Sequence, residues 1–154
     1  MNDNLLKIAL EILKDEASGD TKAAAEKMHL DDYSMTWMYR SKSDLFPSVS
    51  GDVVRESMDD VYTIKGRVYE IINHAQGDDV VFIEMIESYP DEKSGKEFRT
   101  PITLVLKFKD GKIITGRHYT DPQLSYEYLS KETIYSALKQ RPMFSIDMNG
   151  TRDS

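Results

Sequence analysis

The clearest periodicity in the chain lies between Ile102 and Pro122. Ile102, Leu104, Leu106 and Phe108 alternate with Thr103, Val105, Lys107 and Lys109, the period of two that marks a strand with one buried side. Lys109-Asp110-Gly111-Lys112 follows. Asp-Gly between two such runs predicts a tight hairpin, because glycine accepts the positive φ that the turn demands. Ile113 to Tyr119 then returns as the partner strand and stops at Asp121-Pro122, where proline ends the hydrogen-bond ladder.

Upstream the spacing is helical. Asp3 to Ala17 places Leu5, Leu6, Ile8, Ala9, Ile12 and Leu13 close to one stripe, with Asp3 or Asn4 as cap and Ser18-Gly19 as stop. Asp20 caps a second helix through Ala23, Ala24, Ala25 and Met28, which makes an αα-hairpin. Asp31-Asp32 breaks that pattern and leads into a first strand in which Tyr33, Met35, Trp37 and Tyr39 share a face. Arg40 to Ser50 reads as a loop, and its Leu45-Phe46 pair either pins it or folds inward as a lid. Gly51-Asp52 opens a third helix with Val53, Val54, Met58 and Val61 on its apolar side.

From Tyr62 the period returns to two. Tyr62 to Ala75, bent at Gly66, and Val80 to Tyr89 are long strands joined by Gln76-Gly77-Asp78. Pro90 to Glu97 is a solvated tip, and Phe98 to Phe108 with Ile113 to Thr120 completes the sheet. Ser130 caps a last helix, Glu132 to Gln140, which Pro142 stops. Helices first and four long antiparallel strands afterwards indicate an α+β domain. A curved sheet facing a few helices encloses a conical interior, the default place for a small-molecule site.

With 154 residues the chain suits one domain with one substantial core. Its 40% hydrophobic and 31% charged residues make it globular rather than disordered. A net charge of −7 argues against a nucleic-acid surface. The absence of Cys excludes disulfides, thiolate metal sites and a Cys nucleophile. No apolar run approaches a membrane span, and Asn2-Asp3 is wrong for a secretory signal, so a cytoplasmic protein without membrane partners is expected.

The paired helices ending in Gly19-Asp20, the Leu30-Asp31-Asp32 entry to strand one, and the segment DGKIITGRHYTDP resemble the SnoaL-like and ketosteroid-isomerase-like group, which has the fold of nuclear transport factor 2. The resemblance covers roughly Leu5 to Leu124. It implies a single domain over 1–154, with the core at 5–124 and a C-terminal helix and tail at 130–154. The implied fold is an α+β cone, a strongly curved antiparallel or mixed sheet wrapped around N-terminal helices. Such a scaffold hosts isomerases, cyclases, hydrolases, ligand binders and interaction modules, so it selects none of them.

Ketosteroid isomerases, a worked case of acid–base tuning, use a carboxylate base, a tyrosine and a protonated Asp. The matching positions here hold Trp37, Ile12 and Leu104, none of which can do that work, so steroid isomerisation is not expected. Cyclases and epoxide hydrolases of the group place an acid/base group on the last strand, and that position is His118. A His with a pKa of about 6.5 can carry a proton near neutral pH. Glu84 on the preceding strand, if its face with Val80, Phe82 and Ile86 is the inner one, would orient His118 or activate water; the pairing fails if Met85 and Glu87 face inward.

The expected pocket is lined by Trp37, Met35, Tyr39, Val54, Met58, Leu104, Ile114 and Thr120, and takes a small apolar or aromatic molecule without any cofactor. A plainer reading makes His118 a satisfied core residue and Trp37, Met35 and Tyr39 packing. His29 and His74 read as surface residues, and no metal site is expected from three scattered His. The function is then either acid–base chemistry (cyclase, isomerase or hydrolase) or non-catalytic binding. The resemblance also implies a homodimer through the outer sheet face. The tail with Met143, Phe144, Ile146 and Met148 is too apolar to float; it closes its own domain or meets a partner.

Overall fold

The computed structural model describes residues 4–61 and 64–153, with the backbone alone at 57–61 and 126. The elements in order are α1 (Leu5–Ser18), α2 (Thr21–Glu26), β1 (Ser34–Trp37), β2 (Ser48–Ser50), α3 (Gly51–Val61), β3 (Val68–Gln76), β4 (Val80–Pro90), β5 (Glu97–Lys109) and β6 (Lys112–Tyr119). A 3₁₀ turn at Leu124–Tyr126, α4 (Lys131–Leu138), β7 (Phe144–Asp147) and β8 (Gly150–Asp153) complete the chain. The fold is α+β. The eight strands form one sheet in the order β2-β1-β6-β5-β4-β3-β7-β8. Every neighbouring pair is antiparallel except β1 and β6, which run parallel.

Local chemistry explains the main elements. Leu5, Ala9, Ile12, Leu13 and Ala17 recur at helical spacing and are all buried, and Gly19 ends α1 with a left-handed φ of 73°. Asp20 caps α2 by accepting from the Ala23 backbone N–H at 3.0 Å. Asp110 and Gly111 both take positive φ, which is the conformation a two-residue hairpin between β5 and β6 requires. Register shifts at Ile71/Asn73 and at Lys107/Phe108 mark β-bulges, which bend the long strands around the helices.

The concave face carries the core. Leu5, Ala9, Ile12 and Leu13 of α1 pack with Val81, Ile83 and Met85 of β4 and with Leu104, Leu106 and Phe108 of β5. The opposite face of β3 and β4 is not left to solvent. Ile72 and Ile86 there are covered by Ile134 and Tyr135 of α4. Under that helix the buried Glu70 accepts a hydrogen bond from the Tyr135 hydroxyl and pairs with Lys131 at 3.5 Å. Phe82 and Tyr119 remain exposed on the part of the outer face that α4 does not reach.

Two segments differ from expectation. Met28 lies beyond α2 and bridges to Ile113, because the helix ends after one and a half turns. Tyr62 and Thr63 of the expected strand lie outside the described residues, and among those described β3 begins at Val68, after Gly66 takes a left-handed φ of 75°. Of the two readings of the apolar tail, it takes the one that closes its own domain: β7 pairs with β3, β8 with β7, and Ile146 is fully buried. Leu45 and Phe46 do not fold inward: their side chains are exposed, while Leu45 bridges to Arg40 and the Phe46 N–H donates to the Tyr39 carbonyl at 3.0 Å, which ties the loop.

Candidate functional site

Between the helices and the concave sheet face lies a cavity of about 260 Å³. One wall is built by period two alone: Tyr33, Met35, Trp37 and Tyr39, on and beside β1, all face it. Gly116 of β6 makes room for that wall. It pairs with Met35, and a Cβ there would sit 2.4 Å from Met35 Cε. Two residues further on, Trp37 pairs with His118 and their rings stack with centroids 5.4 Å apart. Val54, Ile102 and Thr120 fill the sides, and the Thr120 hydroxyl is held by the Pro101 carbonyl at 3.1 Å.

The polar end of the cavity is assembled from three elements. Glu16 comes from the last turn of α1, Arg67 from the residue before β3, and Glu87 from β4. Tyr69 pairs with Glu87 across β3 and β4 and is fully buried behind them. Its hydroxyl donates to Glu16 Oε2 at 2.6 Å and receives Arg67 Nη1 at 3.3 Å. The Arg67 guanidinium also lies over the Tyr89 ring, 6.0 Å from its centroid.

These groups set one another's protonation. Burial raises the proton affinity of Glu87; the charge of Arg67 opposes this and that of Glu16 adds to it. Burial would lower the pKa of Arg67, but Tyr69, Glu87 and Glu16 together raise it, so the guanidinium stays charged. Burial and the Glu16 charge push Tyr69 and Tyr33 upward, so both phenols stay neutral. Burial, and then the Arg67 charge, push the His118 imidazole down to about 4. His118 is therefore neutral at physiological pH.

His118 and the carboxylates do not share a hydrogen bond. Glu87 pairs with Thr100 of β5, whereas His118 pairs with Leu104, four residues and roughly 13 Å of strand away. Both line the cavity, and Glu16 also lines its narrow inner end together with His118, Leu104 and Met85. A ligand lying in the cavity would touch an acid at one end and a neutral imidazole at the other.

Of the residues expected at the site, Trp37, Met35, Tyr39, Val54, Thr120 and His118 line this cavity, and Leu104 lines its inner end. The Met58 side chain lies outside the described residues. Two expectations are corrected. Glu84 is on the outer face, where Asn73 donates to it at 2.8 Å, because β4 turns Val81, Ile83, Met85 and Glu87 inward instead. Ile114 is the extra residue of the bulge in β6, so Ile113 takes the inward position opposite Phe108.

Glu16, Arg67 and Tyr69 carry no expectation from sequence, and Glu87 enters it only as an inward residue that would displace Glu84. Glu16 follows Ile12 by four residues and so falls on the apolar stripe of α1, which was a readable sign of a buried acid. Glu87 was hidden because both faces of β4 are apolar, the outer one being covered by α4. Among the described residues no group of three His, Asp or Glu side chains is placed to hold a metal, and no helix is long and apolar enough to cross a membrane.

No protein-family model and no curated protein matches the chain. Solved structures do. An NTF2-like protein of unknown function from Cytophaga hutchinsonii superposes with a TM-score of 0.61 over 80% of this chain and 95% of its own, at 14% identity. The chain has the NTF2-like fold. A Catenulispora acidiphila protein with the ketosteroid isomerase-like fold, solved in complex with trimethylamine, gives a TM-score of 0.61 at 12% identity and covers 81% of this chain and 91% of its own. TerC, co-crystallised with polyporic acid, gives 0.64 at 14% identity over 82% and 98%. In all, 212 solved chains match. Sharing so wide identifies the scaffold and leaves the chemistry to the side chains in the cone.

Proposed function

We propose that this NTF2-like protein binds a small, largely aromatic molecule in its cone and transfers a proton on it without a cofactor, as in cyclisation, isomerisation or hydrolysis. The observation that carries the reading is the cluster of half-buried Glu16, Arg67 and Glu87 around the buried Tyr69, at the polar end of an otherwise apolar cavity. Glu87 is the proton carrier in this scheme. Its raised proton affinity moves it toward neutral pH, where a general acid or base is most effective. Glu16 accepts a hydrogen bond from the Tyr69 hydroxyl, which fixes its carboxyl group within the cluster.

His118 takes a different role from the one its place in the last strand first suggests. An imidazole pushed down to about 4 is a weak base at pH 7, but as a neutral ring it can polarise a carbonyl at the other end of the ligand. The crystallisation of two proteins of the same fold with polyporic acid and with trimethylamine supports treating the cone as a ligand site here. Pairing of two copies would use the outer face around Phe82 and Tyr119, which α4 leaves open.

The test is exchange of the acidic C–H protons of a panel of aromatic ketones in heavy water, followed by NMR, alongside ligand-induced shifts in melting temperature. Wild type is expected to catalyse exchange of at least one ketone. Glu87→Gln is expected to lose it by a factor on the order of 100 or more while keeping the melting shift. Exchange unchanged in Glu87→Gln removes Glu87 from the mechanism. Melting shifts without exchange in wild type leave a non-catalytic binder, the second reading of the sequence.

A further inference from the structure

The cavity joins two features that ordinary apolar pockets lack. Its β1 wall is a continuous run of soft, electron-rich side chains from inner end to mouth: Tyr33, Met35, Trp37 and Tyr39. The rest of its lining carries two acidic side chains, Glu16 and Glu87, and one cation, Arg67, among the described residues. That cation is already engaged, since it donates to the Tyr69 hydroxyl and lies over the Tyr89 ring. The one other basic side chain in the lining, His118, carries no charge.

An aromatic wall facing two half-buried carboxyl groups is the environment that favours a soft organic cation. The ring faces attract the positive charge through their quadrupoles, and the carboxylate supplies the counter-ion that burial makes scarce. An anion would meet Glu16 and Glu87 directly, whereas an ammonium group beside Glu87 would favour the ionised form of that acid. At about 260 Å³ the cavity suits a compact ligand. We infer that the ligand carries an ammonium group, quaternary or protonated, seated between the Tyr33–Trp37–Tyr39 wall and Glu87. This deepens the reading of the cone as the ligand site and rests on it.

Trp37 is the only tryptophan in the chain, so its fluorescence reports occupancy of the cavity without a label. The probes are choline and its neutral carbon isostere, 3,3-dimethylbutan-1-ol, titrated against the full-length protein with melting temperature as a parallel readout. Choline is expected to bind about tenfold or more tightly than the alcohol. Glu87→Gln, which keeps shape and removes charge, is expected to bring the two affinities together by weakening choline alone. Equal affinities in wild type would overturn the cation assignment. So would choline binding that Glu87→Gln does not weaken. Failure of choline in a protein whose melting temperature still rises with neutral aromatic ketones sinks this inference and leaves the proposed function standing; the absence of any shift with either class sinks both.

Discussion

His118 offers a sharp test of how the cone is built, because its proton affinity depends on burial that only the folded chain supplies. In the unfolded chain the imidazole titrates at about 6.5. In the cavity, burial and the neighbouring Arg67 charge bring it down to about 4. The unfolded state therefore binds the proton first as pH falls, so protonation favours unfolding. The stability that the neutral ring confers is fully present above about pH 6.5 and is lost progressively down to about pH 4. At about 1.4 kcal/mol per pH unit the full difference is roughly 3 kcal/mol. His118 is half-buried and faces an open cavity, so solvent screening trims the expected loss to about 2 to 3 kcal/mol. Urea unfolding followed by circular dichroism, from about pH 7 to about pH 4, measures it in wild type and in His118→Gln. All other titrating groups are common to both proteins, so the difference between the two stability curves isolates the imidazole. Wild type should lose about 2 to 3 kcal/mol more than the variant across that window. Parallel curves would show that His118 titrates in the fold as it does in water, and the picture of a neutral ring stacked on Trp37 would have to be given up.

Three further outcomes follow from the packing. Tyr69→Phe removes the hydroxyl that donates to Glu16, a hydrogen bond to a charged acceptor, and should cost about 2 kcal/mol in chemical denaturation; an unchanged midpoint would mean the bond is not made. Ile134→Ala should cost about 2 to 4 kcal/mol and lower the melting temperature in a single transition, because α4 seals Ile72 and Ile86; an unchanged melting temperature would make α4 a detachable appendage. Glu84→Gln should leave every ligand-induced melting shift as it is in wild type, since Glu84 lies on the outer face bonded to Asn73. A lost shift in that variant, with Glu87→Gln silent, would reverse the assignment of the inner face of β4.

Much of the architecture follows from local rules that the sequence states openly. The two-residue turn at Asp110-Gly111, the caps at Asp20 and Ser130, and the left-handed stop at Gly19 are short-range matters of backbone sterics and hydrogen bonding, and each is where the spacing places it. The aromatic face of β1 is equally legible, because alternation over Tyr33, Met35, Trp37 and Tyr39 needs no knowledge of the partner strand. What alternation cannot decide is which face is inner when both are apolar. On β4 the outer Ile86 is buried too, under α4, a helix some fifty positions later in the chain, so alternation pointed to Glu84 and only the tertiary structure turned Glu87 inward instead. A single bulged residue at Ile114 likewise reverses the inward set on part of β6, since the side-chain period is two and one extra residue shifts it by half. The acid cluster is tertiary in the fullest sense. Glu16, Arg67, Tyr69 and Glu87 come from a helix, a strand approach and two strands. Their proton affinities, and with them the chemistry of the cone, exist only because folding buries them together.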